Sequence, residues 1–212
     1  MEQVVGRKKR SIVYHTALKK PRVHYEPVDL HVRNGSVAFV WDIQKPPVPS
    51  EYDRCDVLYS ELAWRQGVTV FNARAGVTEE RTYREYVEAV SRVVTSVAIP
   101  VFLVLSRQEV RNYPKADQVT EIDYRGMRSA LMVYRTFIDP EPTDTVELMS
   151  RLAVDYQVLG DFNCGYGNLG RIALLFGKKY VMSDFNPRCI GYIAANIDSW
   201  EREANGNHNS HR

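Results

Sequence analysis

The segment Val158-Leu-Gly-Asp-Phe-Asn-Cys-Gly-Tyr-Gly-Asn-Leu-Gly170 is the most informative part of this 212-residue chain. A short apolar run leads into a turn with closely spaced glycines and then into a helical pattern, which predicts a strand, a tight turn and a helix. Glycine has no Cβ, so Gly165 and Gly167 allow the backbone to approach a ligand closely. A second strand is predicted over residues 180–183 and ends at Asp184.

Two kinds of nucleotide ligand are compatible with this unit. Asp184 lies 17 residues after Gly167, near the roughly 20-residue separation at which an acidic side chain in a nucleotide-binding βαβ unit binds ribose hydroxyls. Gly165, Gly167 and Gly170 also match a GxGxxG phosphate fingerprint, so the spacing alone permits a dinucleotide as well.

Apolar strands alternate with amphipathic helices along the rest of the chain. The pattern predicts strands over residues 37–41, 55–60, 99–105, 118–124, 129–136, 157–160 and 180–183, and helices over residues 78–96, 145–154, 168–176 and 187–197. Thr78 is the expected N-cap of the first helix, and residues 61–76 are expected to form a loop. The alternation predicts an α/β sheet that is mostly parallel, with an antiparallel hairpin at one edge.

The glycine-rich segment resembles the cofactor motif of S-adenosylmethionine-dependent methyltransferases, especially the DNA amino-methyltransferases. In that family the turn commonly reads Asp-Pro-Phe-Cys-Gly-Ser-Gly, and the next strand ends in Asp-x-Asn-Pro; this chain has Phe162 for the proline. The resemblance implies a Rossmann-like methyltransferase fold and S-adenosyl-L-methionine as the cofactor. Asp161 then lies near the methionine amino group, Asp184 binds the ribose, and Asp42 lies near the adenine. The implied turn residues are Asn163, Cys164, Gly165, Tyr166 and Gly167.

The order of the motifs resembles the circularly permuted members of that family, in which the catalytic strand comes first and ends in Asp-Pro-Pro-Tyr or Asp-Pro-Pro-Trp. The matching residues here are Glu61-Leu-Ala-Trp64, with leucine and alanine in place of both prolines. The resemblance implies that the Glu61 carboxylate and the Leu62 carbonyl accept hydrogen bonds from an exocyclic amine, while Trp64 stacks on the extruded base. No metal is implied.

The implied function is methyl transfer to an exocyclic amino group of a nucleobase, with adenine N6 in DNA as the expected acceptor. One alternative is a catalytically inactive methyltransferase-like subunit that binds nucleic acid or regulates a partner. Another is a methyltransferase that acts on RNA or on a free nucleotide. Residues 71–76 are expected to lie over the active site, where Asn72 or Arg74 would contact the substrate.

Basic residues are concentrated at the N-terminus although the formal net charge of the chain is only +2. Residues 1–22 contain seven basic residues and one acidic residue, a charge of +6, which leaves −4 for the remaining 190. Clustered Lys and Arg displace counterions from a nucleic-acid backbone, so the arm is expected either to bind nucleic acid, which the resemblance specifies as DNA, or to be a solvated, frayed terminus. The expected phosphate contacts are Arg7, Lys8, Lys9 and Arg10, with Arg125 and Arg128 on the hairpin.

Domain boundaries follow from the same pattern: a basic arm over residues 1–34, a methyltransferase-like domain over residues 35–200 and a disordered polar tail over residues 201–212. Only about 55 residues separate the catalytic strand from the hairpin. A separate target-recognition domain does not fit there. Sequence specificity is therefore expected to come from the basic N-terminal arm, from a homodimer or from a partner subunit, or to be low.

Composition excludes several other classes of protein. The chain is 44% hydrophobic and 25% charged, which excludes a wholly disordered or collagenous chain. It has no apolar run of the roughly 18–20 residues needed to span a membrane, and the N-terminus lacks a secretory signal pattern, so a cytoplasmic location is expected. Three cysteines without CxxC spacing indicate reduced thiols rather than disulfides or a zinc site.

Overall fold

This computed structural model describes residues 25–79 and 81–209. These residues fold around one eight-stranded sheet. The spatial order is β1-β2-β8-β7-β3-β4-β6-β5. The strands are β1 (Leu30–Arg33), β2 (Ser36–Val40), β3 (Val57–Glu61), β4 (Val101–Leu105), β5 (Gln118–Tyr124), β6 (Met127–Tyr134), β7 (Val158–Asp161) and β8 (Lys179–Asp184).

The central strands β2, β8, β7, β3 and β4 are parallel to one another. Their side chains are mostly buried, and those of β4 are buried throughout, as expected for strands covered on both faces. Strand β6 pairs antiparallel with β4, and β5 pairs antiparallel with β6. The predicted Rossmann-like sheet, mostly parallel with an antiparallel hairpin edge, is therefore confirmed. Strand β3 precedes β7 in the chain, and circular permutation stays a prediction.

Helices cover both faces of the sheet. One apolar cluster packs α3, α4 and α5 against one face, and a second packs α1 and α2 against the other. The helices are α1 (Arg65–Arg74), α2 (Tyr83–Ser96), α3 (Thr145–Asp155), α4 (Asn168–Leu175) and α5 (Pro187–Asn209). None of the helices in the described ranges is both long and apolar enough to cross a membrane.

The predicted loop over residues 61–76 is wrong, because α1 occupies most of it. This helix has a weak apolar pattern, with Val68 as its main buried apolar residue, so periodicity did not reveal it. The start of α2 also differs from the prediction: Thr82, rather than Thr78, is the N-cap. The Thr82 hydroxyl accepts a hydrogen bond from the Glu85 N–H at 3.2 Å, and the Glu85 carboxylate accepts one from the Thr82 N–H at 2.8 Å.

Both predicted terminal boundaries require correction. Strand β1 lies within the predicted N-terminal arm of residues 1–34 and pairs with β2 through a turn at Asn34-Gly35. At the other end, α5 continues to Asn209, so residues 201–209 of the predicted disordered tail are helical. Ala204 is buried there, and Glu203 pairs with Arg171 at 2.5 Å.

Truncation after Trp200 should lower the free energy of unfolding by about 1–3 kcal/mol, because it leaves the largely buried Arg171 guanidinium without its carboxylate partner. Arg33 loses its partner Glu201 in the same truncation. A control truncation after the exposed Gly206 should cost less than about 1 kcal/mol. Urea denaturation checks both values; equal stabilities for the two truncated proteins would contradict the contribution of the last turns.

Candidate functional site

A cleft of about 330 Å³ opens where β2, β3, β7 and β8 reach their carboxyl ends. Parallel strands end at the same edge of the sheet, so side chains from distant parts of the sequence meet there. Of the predicted site residues, those that line the cleft are Asp42, Glu61, Leu62, Asn72, Arg74, Arg125, Asn163, Cys164, Gly165, Tyr166 and Asp184.

The glycine-rich turn between β7 and α4 depends on two left-handed residues. Gly165 has φ +51°, and a Cβ added there would meet no other atom within 4 Å. Gly167 has φ +75°, and an added Cβ would lie 2.9 Å from Cγ1 of Ile193 on α5. Gly165 therefore leaves open space at the cleft, whereas Gly167 allows α4 and α5 to pack together and does not line the cleft.

Asp184 connects the end of β8 to this turn. One carboxylate oxygen accepts the Gly165 N–H at 2.9 Å, and the other accepts the Asn186 N–H at 2.9 Å. The side chain is buried, which raises its pKa to about 6, while the two backbone hydrogen bonds act in the opposite direction. The carboxylate is therefore held at a fixed place at the cleft and bears its charge at neutral pH.

This raised pKa predicts a pH dependence of stability. The folded protein holds an extra proton between about pH 4 and 6, so the Asp184 carboxyl contributes stability below pH 4 that is lost as the pH rises through 6. Between pH 4 and 7, the free energy of unfolding should fall by about 2 kcal/mol more in the wild type than in Asp184→Asn. Urea denaturation at both pH values measures this difference.

The other buried carboxyl in this region, Asp161, is present in both proteins, but its charge interacts with that of Asp184, so the comparison measures Asp184 together with this interaction. Burial raises the pKa of Asp161 well above its usual value. An equal fall in stability for the wild type and Asp184→Asn would contradict the assignment of a raised pKa to Asp184.

The predicted cofactor contact Asp161 lies beneath the cleft rather than in its wall. Its carboxylate accepts the Asn163 N–H at 3.1 Å. The Asn163 amide then donates to the hydroxyl of Ser60 at 3.1 Å and to that of Tyr86 at 3.2 Å. These contacts fix the turn after β7 against β3 and α2.

Glu61 ends β3 with its side chain in the cleft wall. Its carboxylate accepts a hydrogen bond from the Tyr59 phenol at 2.8 Å. The Leu62 N–H donates to the Val104 carbonyl at 2.8 Å, and the Ala63 N–H donates to the Tyr86 phenol at 3.2 Å. Backbone hydrogen bonds thus hold the segment after Glu61 in place without prolines.

Trp64 does not line the cleft. It is the N-cap of α1, and the residue is 40% exposed. Its stacking on a bound base therefore stays a prediction. Helix α1 instead brings Phe71, Asn72 and Arg74 to the cleft.

The predicted charged contacts divide into three groups. Asp42 forms an ion pair with Arg81 at 2.7 Å, and both residues line the cleft. Arg125 lines the cleft, whereas Arg128 lies outside it and pairs with Glu121 at 3.6 Å. Arg7, Lys8, Lys9 and Arg10 lie outside the described residues.

Several cleft residues were missed by the sequence reasoning, among them Arg81, Tyr86 and Tyr124. Tyr124 directly precedes the predicted contact Arg125, and this adjacency could have identified Tyr124 as a cleft residue. All three cysteines are buried and free. Within residues 25–79 and 81–209, no cluster of three or more His, Cys, Asp or Glu side chains is arranged to hold a metal ion.

Comparisons with known proteins give similarities in structure at low sequence identity. The structure of M1.HpyAVI aligns at 8% identity and a TM-score of 0.48, covering 76% of this chain and 98% of that one. TTHA0409, a proposed DNA modification methylase from Thermus thermophilus, aligns at 12% identity in two crystal structures. Its selenomethionine derivative has a TM-score of 0.43, covering 70% of this chain and 87% of that one. Its complex with S-adenosyl-L-methionine has a TM-score of 0.39, covering 70% and 86%.

No protein-family model matches the chain, and no curated protein matches it.

Proposed function

We propose that this chain is an S-adenosyl-L-methionine-dependent DNA methyltransferase that acts on an exocyclic amino group of a nucleobase, with adenine N6 as the acceptor. One observation carries the proposal: the glycine-rich turn with Asp184 and the carboxylate of Glu61 open into the same cleft. A transferase of this kind needs a nucleoside-binding carboxylate and an amine-binding carboxylate within one site.

The cleft residues fit S-adenosyl-L-methionine better than a dinucleotide. The Gly165 N–H donates to Asp184, and the Gly167 N–H donates to the Cys164 carbonyl at 2.9 Å. Because both N–H groups have partners within the protein, they do not offer a free cradle for a pyrophosphate. Asp184 keeps lone pairs for ribose hydroxyls, and the open space at Gly165 admits a ligand at close range.

In this proposal the bound cofactor supplies an electrophilic methyl group, and the protein orients the acceptor. The Glu61 carboxylate and the Leu62 carbonyl accept hydrogen bonds from the two N–H groups of the amine, which direct its lone pair toward the cofactor. The Tyr59 phenol holds one Glu61 oxygen, so the carboxylate keeps its orientation. Once the nitrogen is methylated, Glu61 is the carboxylate placed to accept the proton that it loses.

A second candidate function is a methyltransferase-like subunit without catalytic activity that binds nucleic acid. The position of Trp64 outside the cleft favours it, because the aromatic residue that the family motif places on the base is not there. The absence of both prolines after Glu61 favours it as well.

Target recognition is proposed to require DNA contacts beyond this cleft. The chain between β3 and β5 is occupied by α1, α2, β4 and a short 3₁₀ turn over Arg107–Asn112. We therefore propose that the basic residues at the N-terminus bind the DNA backbone and that a second copy or a partner subunit contributes to recognition.

The proposal is tested by calorimetric titration with S-adenosyl-L-methionine and, separately, with NAD, followed by transfer of labelled methyl groups to unmethylated DNA. RNA and deoxynucleoside monophosphates are offered as acceptors in parallel. Binding of S-adenosyl-L-methionine with transfer to DNA supports the proposal. Binding of NAD alone refutes the cofactor assignment. Binding of S-adenosyl-L-methionine without transfer to any acceptor favours the inactive subunit, and transfer to RNA or to free nucleotides alone replaces the proposed substrate.

A further inference from the structure

Two aromatic side chains that belong to neither motif reach the cleft beside Glu61. Phe71 comes from the second turn of α1 and lines the cleft with 43% of its surface exposed. A Cβ placed on Gly67 would lie 3.3 Å from Cε2 of Phe71 and 3.7 Å from Cβ of Ala63. The missing side chain at Gly67 therefore leaves room for the Phe71 ring next to the segment that follows Glu61.

Tyr124 reaches the same region from the last position of β5. Burial raises the pKa of its phenol, and the nearby Glu61 carboxylate raises it further. The phenol thus stays protonated at neutral pH and lies close to the carboxylate proposed to bind the amine. An apolar ring face and an amine-binding carboxylate together suit a planar base that carries an exocyclic amino group.

Arg125 adds a cation at this end of the cleft. It occupies the first central position of the two-residue β5–β6 turn with φ +56°, followed by Gly126 at φ +80°. Asn, Asp or Gly is favoured at such a position, so arginine there has a conformational cost. Its guanidinium lies 5.1 Å from the centre of the Tyr124 ring, and it forms no ion pair with any residue that the structure describes.

We propose that Phe71, Tyr124 and Arg125 form the acceptor clamp of this site: the two rings hold the extruded base, with Phe71 in the role that the family motif gives to Trp64, and Arg125 binds a phosphate next to it. This inference rests on the proposed function and specifies its substrate as one base-bearing nucleotide of a DNA strand. Exposed aromatic rings stack on bases of any sequence, and an unpaired guanidinium binds a phosphate oxygen directly.

The test compares two fluorescein-labelled 15-mers of tetrahydrofuran abasic nucleotides by anisotropy, one with a single central adenine and one that is abasic at every position. The ratio of the two affinities isolates the contribution of the base from that of the charged backbone. The wild type should prefer the adenine 15-mer about 10- to 100-fold, and Phe71→Ala and Tyr124→Leu should each lose most of this preference. Trp64→Ala, which removes an aromatic ring of similar exposure outside the cleft, should keep it.

The two arginines of the hairpin provide a second matched pair. Arg125→Ala should weaken binding of both 15-mers about fivefold and make the slope of log affinity against log salt shallower by about one. Arg128→Ala removes an 81% exposed arginine that pairs with Glu121 and should have the smaller effect on both quantities. Equal affinity of the wild type for the two 15-mers, or a preference that is lost in Trp64→Ala and kept in Phe71→Ala, would overturn the clamp.

Methyl transfer from labelled S-adenosyl-L-methionine, measured on the same proteins, separates this inference from the proposed function. If the wild type transfers no methyl group but its preference for adenine depends on Phe71, the results support the clamp and refute the transferase. Active wild type and an equally active Phe71→Ala leave the transferase supported and refute the clamp. Circular dichroism and urea denaturation, expected to be unchanged in every variant, verify that each variant is folded.

Discussion

Replacing Glu61 with glutamine should slow methyl transfer to DNA about 100- to 1,000-fold and leave the affinity for S-adenosyl-L-methionine within about twofold of the wild type. Glutamine keeps the length of the side chain and one acceptor oxygen, but it loses the negative charge and the ability to accept a proton. The Tyr59 phenol can still donate to the amide oxygen, so the position of the side chain should change little. The substitution should therefore lower the rate of methyl transfer and leave the affinity for S-adenosyl-L-methionine nearly unchanged.

Glu121→Gln is the matched control for this measurement. Glu121 lies on β5 and is paired with Arg107 at 2.7 Å, away from the cleft wall. Its replacement should change the transfer rate by less than about twofold. A Glu61→Gln protein with the activity of the wild type would exclude Glu61 as the group that binds the amine. A Glu61→Gln protein that no longer binds S-adenosyl-L-methionine would indicate a change in the whole cleft instead.

The parts of the site that the sequence predicted are those encoded within short segments. The glycine-rich turn and Asp184 belong to one strand–helix–strand unit, so their relation depends on local spacing that can be read along the chain. Glu61 was predicted because it matches the first residue of the family's Asp-Pro-Pro-Tyr or Asp-Pro-Pro-Trp motif at the end of a buried strand. Its position in the cleft wall follows because parallel strands end at one edge of the sheet.

The parts that were missed depend on contacts between distant segments. The ion pair between Asp42 and Arg81 joins residues that are separated along the chain by β3 and α1, and no local pattern specifies it. The last turns of α5 read as a polar tail because charged residues dominate them. They are helical where Ala204 is buried and Glu203 meets Arg171 of another helix. Tertiary contacts here override a polar composition.

Two short sequence patterns mark element boundaries that were predicted wrongly. Asn34-Gly35 has positive φ at both residues, the pattern of a two-residue hairpin turn, and it joins β1 to β2. Thr82 and Glu85 have the spacing of a capping box, which places the N-cap of α2 four residues after Thr78. Turn and cap chemistry was therefore a better guide to these boundaries than composition, which assigned β1 to the arm.

Replacing Asp184 with alanine should weaken binding of S-adenosyl-L-methionine about 100-fold or more. Hydrogen bonds to a charged group contribute about 1.5–3 kcal/mol each, and the carboxylate is proposed to accept both ribose hydroxyls. The substitution also frees the N–H groups of Gly165 and Asn186, so the turn that borders the cleft loses its anchor to β8. Isothermal titration calorimetry measures the loss.

Asp56→Ala separates the loss of ribose contacts from a general loss of stability. The Asp56 carboxylate also accepts two backbone N–H groups, those of Gln157 and Val158, each at 2.9 Å. It lies at the amino end of β3, across the sheet from the cleft, so its replacement removes the same kind of support without touching the cleft. We expect Asp56→Ala to bind S-adenosyl-L-methionine within about twofold of the wild type. If both alanine variants lose affinity equally, Asp184 acts only by stabilising the fold. If neither variant loses affinity, the ribose is bound elsewhere and the role assigned to Asp184 is wrong.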